Sequence, residues 1–424
     1  MSKTKSIKVF EYSTLICGQE YNGHHFKKAH YNALVKLNEI HKGNYFTIGV
    51  NKITFKNYVG VLQVDGLVIE ILPKIDQYES DSENNKVKWQ AALIEMLRVT
   101  KHLKVKKMDE ASVATQSKHL LDIYFEWFLA EVQKLIHQGL IKQYYKETSQ
   151  VKALKGKLEF AGHLSKNLVH KERFYTTHQV YDKDHLLHQV LFCALEIIAS
   201  LTKGNYLYST CKKVQLDFPE VKTIKVTAKT FEQIPHNRKT APYETALAIA
   251  RIIILNYAPN VKNGAENMLA LLFDMNALWE QYILVRLQQV QEKKGFTIMG
   301  QNSKPFWQNI AIRPDIVLSK GENENYIIDT KWKNIDQSKP STQDLRQMYV
   351  YNEYWASKKA LLLYPSCNQP DQIPFEGFAP VDGKTNHKCG IGKISVFNED
   401  GQTLNAEIGS VILNWFIRVP NPTT

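Results

Sequence analysis

A chain of 424 residues is too long for one ordinary hydrophobic core and points to two or three domains. Its 44% hydrophobic and 23% charged residues are globular proportions, which exclude a disordered, collagen-like or small disulfide-scaffold chain. Lys and Arg number 54 against 42 Asp and Glu, and the resulting +12 favours an anionic partner, nucleic acid ahead of an anionic membrane.

Cys17, Cys193, Cys211, Cys367 and Cys389 are widely spaced and form no CxxC pair, which argues against a secreted disulfide framework and a cysteine zinc site. Met1 to Phe10 carries lysines without an apolar signal-peptide run. The apolar stretch Ala246 to Ala258 is broken by Arg251 and too short to span a bilayer. A cytoplasmic protein with no membrane segment is expected.

In chain order, Tyr45 to Ile75 reads as β-structure. Asp65-Gly66 lies between the apolar runs Tyr58–Val64 and Leu67–Leu72, a strong hairpin signal. Asp76 to Lys88 is polar and reads as a loop or linker. Trp89 to Thr100 has helical spacing. Ser117 can cap a further helix to about His137, with Gly139 at its C-terminal end. Residues 101 to 175 hold 14 Lys/Arg against 8 Asp/Glu, half of the excess charge, with Lys101, Lys104, Lys106 and Lys107 at the start. This stretch reads equally as a solvated face or a phosphate-contacting one.

Helices follow over about Asp184 to Thr202, from Thr240-Pro242 to before Pro259, and over Asp274 to Lys293. The pattern then turns α/β. Strands are expected over Asn309–Leu318 and Tyr326–Trp332, with a turn at Ser319–Asn325. A helix is expected over about Thr342–Ala356, then strands over Lys359–Tyr364, Lys393–Phe397 and Ser410–Val419.

The chemistry concentrates in Ile312 to Lys333, IRPDIVLSKGENENYIIDTKWK. A hairpin here can bring Asp315 near Asp329. Strand alternation puts Asp329 and Lys331 on one face with Thr330 pointing away. Two carboxylates and an ammonium at one strand end suit phosphodiester hydrolysis. Mg²⁺ takes carboxylate oxygens, polarises the phosphate and lowers the pKa of a bound water. Lys331 could orient that water, deprotonate it, or offset charge on phosphorus. Glu280 precedes the hairpin on a helix, and Gln347 and Tyr351 follow it one helical turn apart.

This order resembles PD-(D/E)xK nucleases of the RecB-like type. Together with FDMNALWEQYI (Phe273 to Ile283), VGVLQVDGLVIEILPKI (Val59 to Ile75) and LKGKLEFAGHLSKN (Leu154 to Asn167), it resembles the McrC family across most of the chain. The first ~45 residues match least. The resemblance implies an α+β multidomain chain: an N-terminal β-rich and helical docking domain (1–155), a helical connecting region (156–260) and a C-terminal α/β PD-(D/E)xK nuclease domain (261–424). It implies Mg²⁺-dependent cleavage (Mn²⁺ substituting) of double-stranded DNA bearing modified or methylated cytosine. It also implies a separate McrB-like AAA+ GTPase partner, a hexameric ring, whose hydrolysis this chain stimulates. Asp315 and Asp329, with Glu280 as a further candidate, would hold the metal, and Lys331 would serve the water. Gln347 and Tyr351 would contact DNA or brace the site; Arg346 and Lys333 would reach phosphate. The second acid is Asp where many of the superfamily carry Glu, a shorter reach that shifts the metal slightly.

The GKT at Gly383-Lys384-Thr385 has Phe378 where a P-loop needs glycine, so no nucleotide is expected on this chain itself. His163, His170, His178, His185 and His188 lack metal-site spacing; His185 and His188 read as helix-surface or core histidines. Two other readings stay open: a non-catalytic activator of a AAA+ ring with a relic nuclease fold, and a stand-alone RecB-like DNA-processing nuclease.

Overall fold

The computed structural model describes residues 5–64, 66–75, 80–100, 119–259, 267–321, 324–333, 339–367, 370–379, 387–417. Asp65, Lys101, Lys104, Lys106, Lys107, Ser117 and the Gly383-Lys384-Thr385 run lie outside them. The architecture is mixed α+β with several sheets. It divides into two compact units. One takes Met1–Lys5, Leu62–Val68 and Glu110–Leu271; the other takes Ser6–Val61, Ile69–Asp109 and Leu272–Thr424. Among the described residues no helix is long and apolar enough to cross a membrane.

The first unit is built on helices Leu120–Gln138, Leu186–Leu201, Tyr206–Asp217 and Glu244–Leu255. Their apolar stripes (Tyr124, Phe128, Leu191, Leu195, Val214, Ile253) are fully buried. Gly139 closes the first of them at φ 87°, a conformation that only glycine adopts cheaply. A long antiparallel ribbon, not expected from the sequence, pairs Gln143–Val151 with Phe174–Asp182. Its strands are polar on both faces, so neither shows the apolar alternation that marks a half-buried strand.

His188 sits in this helical core. Its Nδ1 lies 2.7 Å from the Lys183 carbonyl, and its Nε2 lies 3.4 Å from the Tyr243 hydroxyl. Tyr243 in turn accepts from Ile141 N–H at 3.0 Å, and His185 Nε2 reaches the Ile141 carbonyl at 3.1 Å. These are core histidines that join backbone segments. His163 instead meets Asn167, and His170 meets Glu172.

Strand Lys5–Phe10, whose residues from Ser6 on belong to the second unit, is next to Leu67–Leu72 in its sheet; Leu67–Leu72, whose residues from Ile69 on belong to the second unit, is buried at every position. Gly66 takes φ 72°, as the expected tight turn requires. The polar stretch read as a linker up to Lys88 already turns helical at Glu83, because Ser82 accepts from Asn85 N–H and Lys86 pairs with Asp81 and Glu83. Helix Glu83–Val99 presents Trp89. Its ring meets Trp332 at 6.2 Å and Phe397 at 4.8 Å, and Trp332 meets Trp279 at 5.3 Å.

The C-terminal elements of this unit are α1 (Met275–Gln288), β1 (Thr297–Gly300), β2 (Lys304–Trp307), β3 (Ile310–Ile312), β4 (Ile316–Lys320), β5 (Glu324–Thr330), α2 (Thr342–Tyr354), β6 (Ser357–Ser366), β7 (Asp371–Gly377), β8 (Lys388–Ser395) and α3 (Ile408–Ile417). Asp274 caps α1 by accepting from Asn276 and Ala277 N–H. Six strands form one sheet in the order β1-β4-β5-β6-β8-β7. The β4–β5 pair is antiparallel, while β5–β6 and β6–β8 are parallel, with α2 as the crossover between β5 and β6. Central β6 buries Ala360 to Tyr364 as an unbroken apolar run, the pattern of a strand covered on both faces.

Three expectations are corrected. The strand expected over Asn309–Leu318 breaks at Arg313-Pro314 into β3 and β4, since proline cannot donate to a ladder. The expected β5 extension to Trp332 ends at Thr330, which frees Lys331 to Lys333 from the strand. Of Ser410–Val419, expected as a strand, the described residues Ser410–Ile417 are the body of helix α3. Its buried residues Ile408, Ile412, Leu413, Trp415 and Phe416 follow a helical stripe, which a short β-branched run disguises. A Cβ on Gly409 would collide with the Arg286 carbonyl of α1.

Two outcomes follow. Gly409→Ala should cost about 1–3 kcal/mol of stability through overpacking, read by urea unfolding. Burial and neighbouring His185 hold His188 down to about 4, against the pull of the Lys183 carbonyl and against 6.5 unperturbed. The unfolded chain therefore takes up this proton first, and stability should fall by about 3 kcal/mol as pH drops from 6.5 to 4. His188→Gln should flatten that slope in thermal melts; an equally steep slope would assign the loss elsewhere.

Candidate active site

Register brings the two predicted acids together. The β4–β5 ladder pairs Ile316 with Ile328, so Asp315 and Asp329 stand opposite each other one step beyond, at the strand ends. Thr330 fixes the first of them. Its N–H donates to Asp315 Oδ2 at 2.7 Å and its hydroxyl donates to the same oxygen at 2.9 Å. Thr330 thus does not simply point away from the acids; it is the clamp between the strands. Asp315 Oδ1 accepts no hydrogen bond among the described residues.

Lys331 Nζ lies 2.6 Å from Asp329 Oδ2, but not in hydrogen-bonding geometry, so this buried oxygen has a charge contact without an aligned donor. Lys331 N–H donates to the Leu363 carbonyl of β6 at 2.9 Å, which holds the chain beside the sheet just after β5 ends. Asp344, in the first turn of α2, lies 4.0 Å from Lys331 Nζ and 3.2 Å from Lys333 Nζ. Ser341 and Asp344 cap α2 reciprocally, so the same carboxylate that starts the helix steadies both lysines.

Burial and the repulsion of Asp315 push the Asp329 carboxyl up to about 7, against the pull of Lys331. Asp315 is also raised by burial, with the Thr330 bonds opposing. Burial alone would lower Lys331, but Asp329, Asp315 and Asp344 hold its ammonium above the ordinary lysine value. The pocket therefore contains two acids that resist sharing negative charge and one cation that stays charged.

Glu280 of α1 is half-buried and accepts from Gln301 Nε2 at 2.9 Å, while Gln301 N–H donates to the Asp315 carbonyl at 2.9 Å. Burial and the charge of Asp315 raise Glu280. Gln347 donates to the Tyr351 hydroxyl at 2.8 Å, which donates to the Arg313 carbonyl at 2.9 Å. The Gln347–Tyr351 pair thus braces the turn leading into Asp315. Arg346 is exposed on α2, with no ion pair among the described residues. Thr330, Asp344 and Gln301 were missed in the sequence reading. Only Asp344 had a local signal, the Ser-x-x-Asp box before a helix.

Among the described residues no group of three or more His, Cys, Asp or Glu converges closely enough to hold a metal. Asp315 Oδ1 accepts no hydrogen bond among the described residues, and Asp329 Oδ2 has only the Lys331 ammonium against it; an oxygen-only pair of this kind suits a hard cation that would displace that ammonium and take its remaining ligands from water or substrate. The charge placement suits an anionic substrate with a polarised water.

A solved structure described as a half-complex from a tetradecameric assembly of Thermococcus gammatolerans McrB AAA+ hexamers with bound McrC contains a chain of the same fold. The TM-score is 0.69 at 19% identity, covering 97% of this chain and 99% of that one. A second, the cryo-EM structure of the Thermococcus gammatolerans McrBC complex, matches at TM-score 0.49 and 20% identity, over 67% of this chain and 88% of that one. No curated protein sequence matches. Residues 53–365, more than half of the chain and including Asp315, Asp329 and Lys331, match the McrBC 5-methylcytosine restriction system component family, and the chain belongs to that family.

Proposed function

We propose that this chain is the nuclease subunit of a McrBC-like restriction system. It hydrolyses phosphodiester bonds in DNA containing methylated or otherwise modified cytosine, acts in the cytoplasm, and works with a separate McrB-like AAA+ GTPase. The observation that carries the reading is Asp315 opposite Asp329 at one sheet end, with Lys331 against Asp329. The β4–β5–α2–β6 arrangement with α1 alongside supports a PD-(D/E)xK core. The fold shared with a chain from a structure of McrB hexamers with bound McrC supports the partner.

In this reading Asp315 and Asp329 would hold Mg²⁺, which when bound would polarise the scissile phosphate and acidify a water. The unsatisfied Asp329 oxygen and the elevated carboxyls fit such a guest. Thr330 keeps Asp315 aimed, and Glu280 lies within electrostatic reach of Asp315. Lys331 stays protonated beside Asp329, which favours orienting water and offsetting charge on phosphorus over acting as a base. Asp344 pairs with Lys333 and adds its charge beside Lys331, whose ammonium contacts Asp329. Arg346 and Lys333 supply exposed charge toward the DNA backbone.

Asp329→Ala or Lys331→Ala should reduce cleavage by at least ~100-fold yet leave partner binding and GTPase stimulation intact. Loss of both would mark the site as structural. Cleavage should require Mg²⁺ or Mn²⁺, and persistence in excess EDTA would refute the metal mechanism. Asp329 must lose its proton to bind a cation, so Mn²⁺ affinity measured by calorimetry should weaken about tenfold per unit as pH falls below about 7. A flat profile in Asp329→Asn would confirm the assignment.

A further inference from the structure

The hairpin β2–β3 lies immediately before the first acid and has no part in the site described above. Its strands pair Lys304 with Ile312 and Pro305 with Ala311. The register then shifts, and Trp307 faces Ile310. Such a bulge re-aims the side chain that follows it. At the tip, Phe306 is 46%, Trp307 60% and Ile310 54% exposed, and Gln308 takes the left-handed conformation at φ 47°.

The base of this hairpin is held firmly. Lys304 Nζ donates to the Tyr354 carbonyl at 2.7 Å and lies 5.0 Å over the Trp355 ring. Trp355 Nε1 donates to Asn302 Oδ1 at 3.3 Å, and Phe306 leans on Tyr354 at 5.6 Å. Trp307 differs from its neighbours: among the described residues its ring touches no other ring and its indole N–H has no acceptor. A large indole left in water at the end of an anchored support marks a contact surface.

Only Arg313 and Pro314 separate β3 from Asp315, so Ile312 and Asp315 are at most about 10 Å apart along the chain. Arg313 is exposed, and its carbonyl is pinned by Tyr351. The base of the hairpin is thus joined through a cation to the acids that would meet the scissile phosphate, and the tip with Trp307 and Ile310 stands one short strand beyond it.

We propose that β2–β3 is a DNA-distorting wedge, with Trp307 entering the base stack beside the step that is cut; this rests on the nuclease reading above. The apolar patch is only three side chains wide, too small for a stable protein interface but sufficient for insertion between base pairs. Stacking on an indole is indifferent to base identity, as suits a cutting module whose target choice is made elsewhere.

The test uses the full-length chain with its AAA+ partner, GTP and Mg²⁺. Two modified duplexes are compared, one fully paired and one with a mismatch bubble at the step that the unaltered protein cuts. Trp307→Ala should cut the paired duplex at least ~10-fold more slowly but the bubble within about twofold of wild type, because the bubble removes the unstacking that the indole assists. Trp307→Phe should retain most of the paired-duplex rate. Wild-type rates on both substrates in Trp307→Ala would overturn the wedge and leave the nuclease reading standing. An equal loss on both substrates, with weakened partner binding, would also overturn it and make the indole a protein contact. Failure of the wild type to cut either duplex would sink the nuclease reading and the wedge with it.

Discussion

The second unit depends on holding two carboxylates face to face inside a sheet end. Asp315 and Asp329 repel each other and both resist ionising in their buried setting, yet the antiparallel register leaves them no other place. Such an arrangement is costly unless other groups compensate. Thr330 compensates for Asp315 with two donors to one oxygen. Lys331 compensates for Asp329 with charge but not with an aligned hydrogen bond. Asp329 is thus the less completely satisfied acid of the pair.

The rest of the unit keeps that arrangement from relaxing. Central β6 supplies an apolar floor and catches Lys331 by its backbone. Helix α2 supplies Asp344 at its start, Gln347 and Tyr351 in its middle, and an anchor for the β2–β3 hairpin at its end. One helix thus touches the lysines, the approach to Asp315 and the hairpin base. A change in α2 should be felt at all three, which makes this helix a poor place for tolerated substitution.

Much of this was legible in the residues. Asp315, Asp329 and Lys331 stand out because charges at the end of an apolar strand are rare without a use. The Asp65-Gly66 and Gly139 signals depend on local backbone chemistry that the residue types dictate. The ribbon Gln143–Val151 with Phe174–Asp182 was not legible, because neither strand buries an apolar face. Helix α3 was misread because β-branched residues in a short run satisfy strand and helix patterns equally. The placing of Thr330, Gln301 and Trp332 comes from pairings between distant segments, which no local pattern encodes.

Trp332 illustrates the last point most clearly. Its indole donates at 2.7 Å to the carboxylate of Glu11, 321 positions earlier, and that same oxygen accepts from Lys74 N–H at 2.9 Å. Glu11 is buried, and burial raises its carboxyl to about 7. The residue directly after Lys331 is therefore seated by the turn that follows the N-terminal strand Lys5–Phe10. The candidate site thus draws one of its supports from the first dozen residues of the chain. It cannot be cleanly transplanted as a C-terminal cassette, because the excised piece would leave the Trp332 indole facing water where its acceptor belongs.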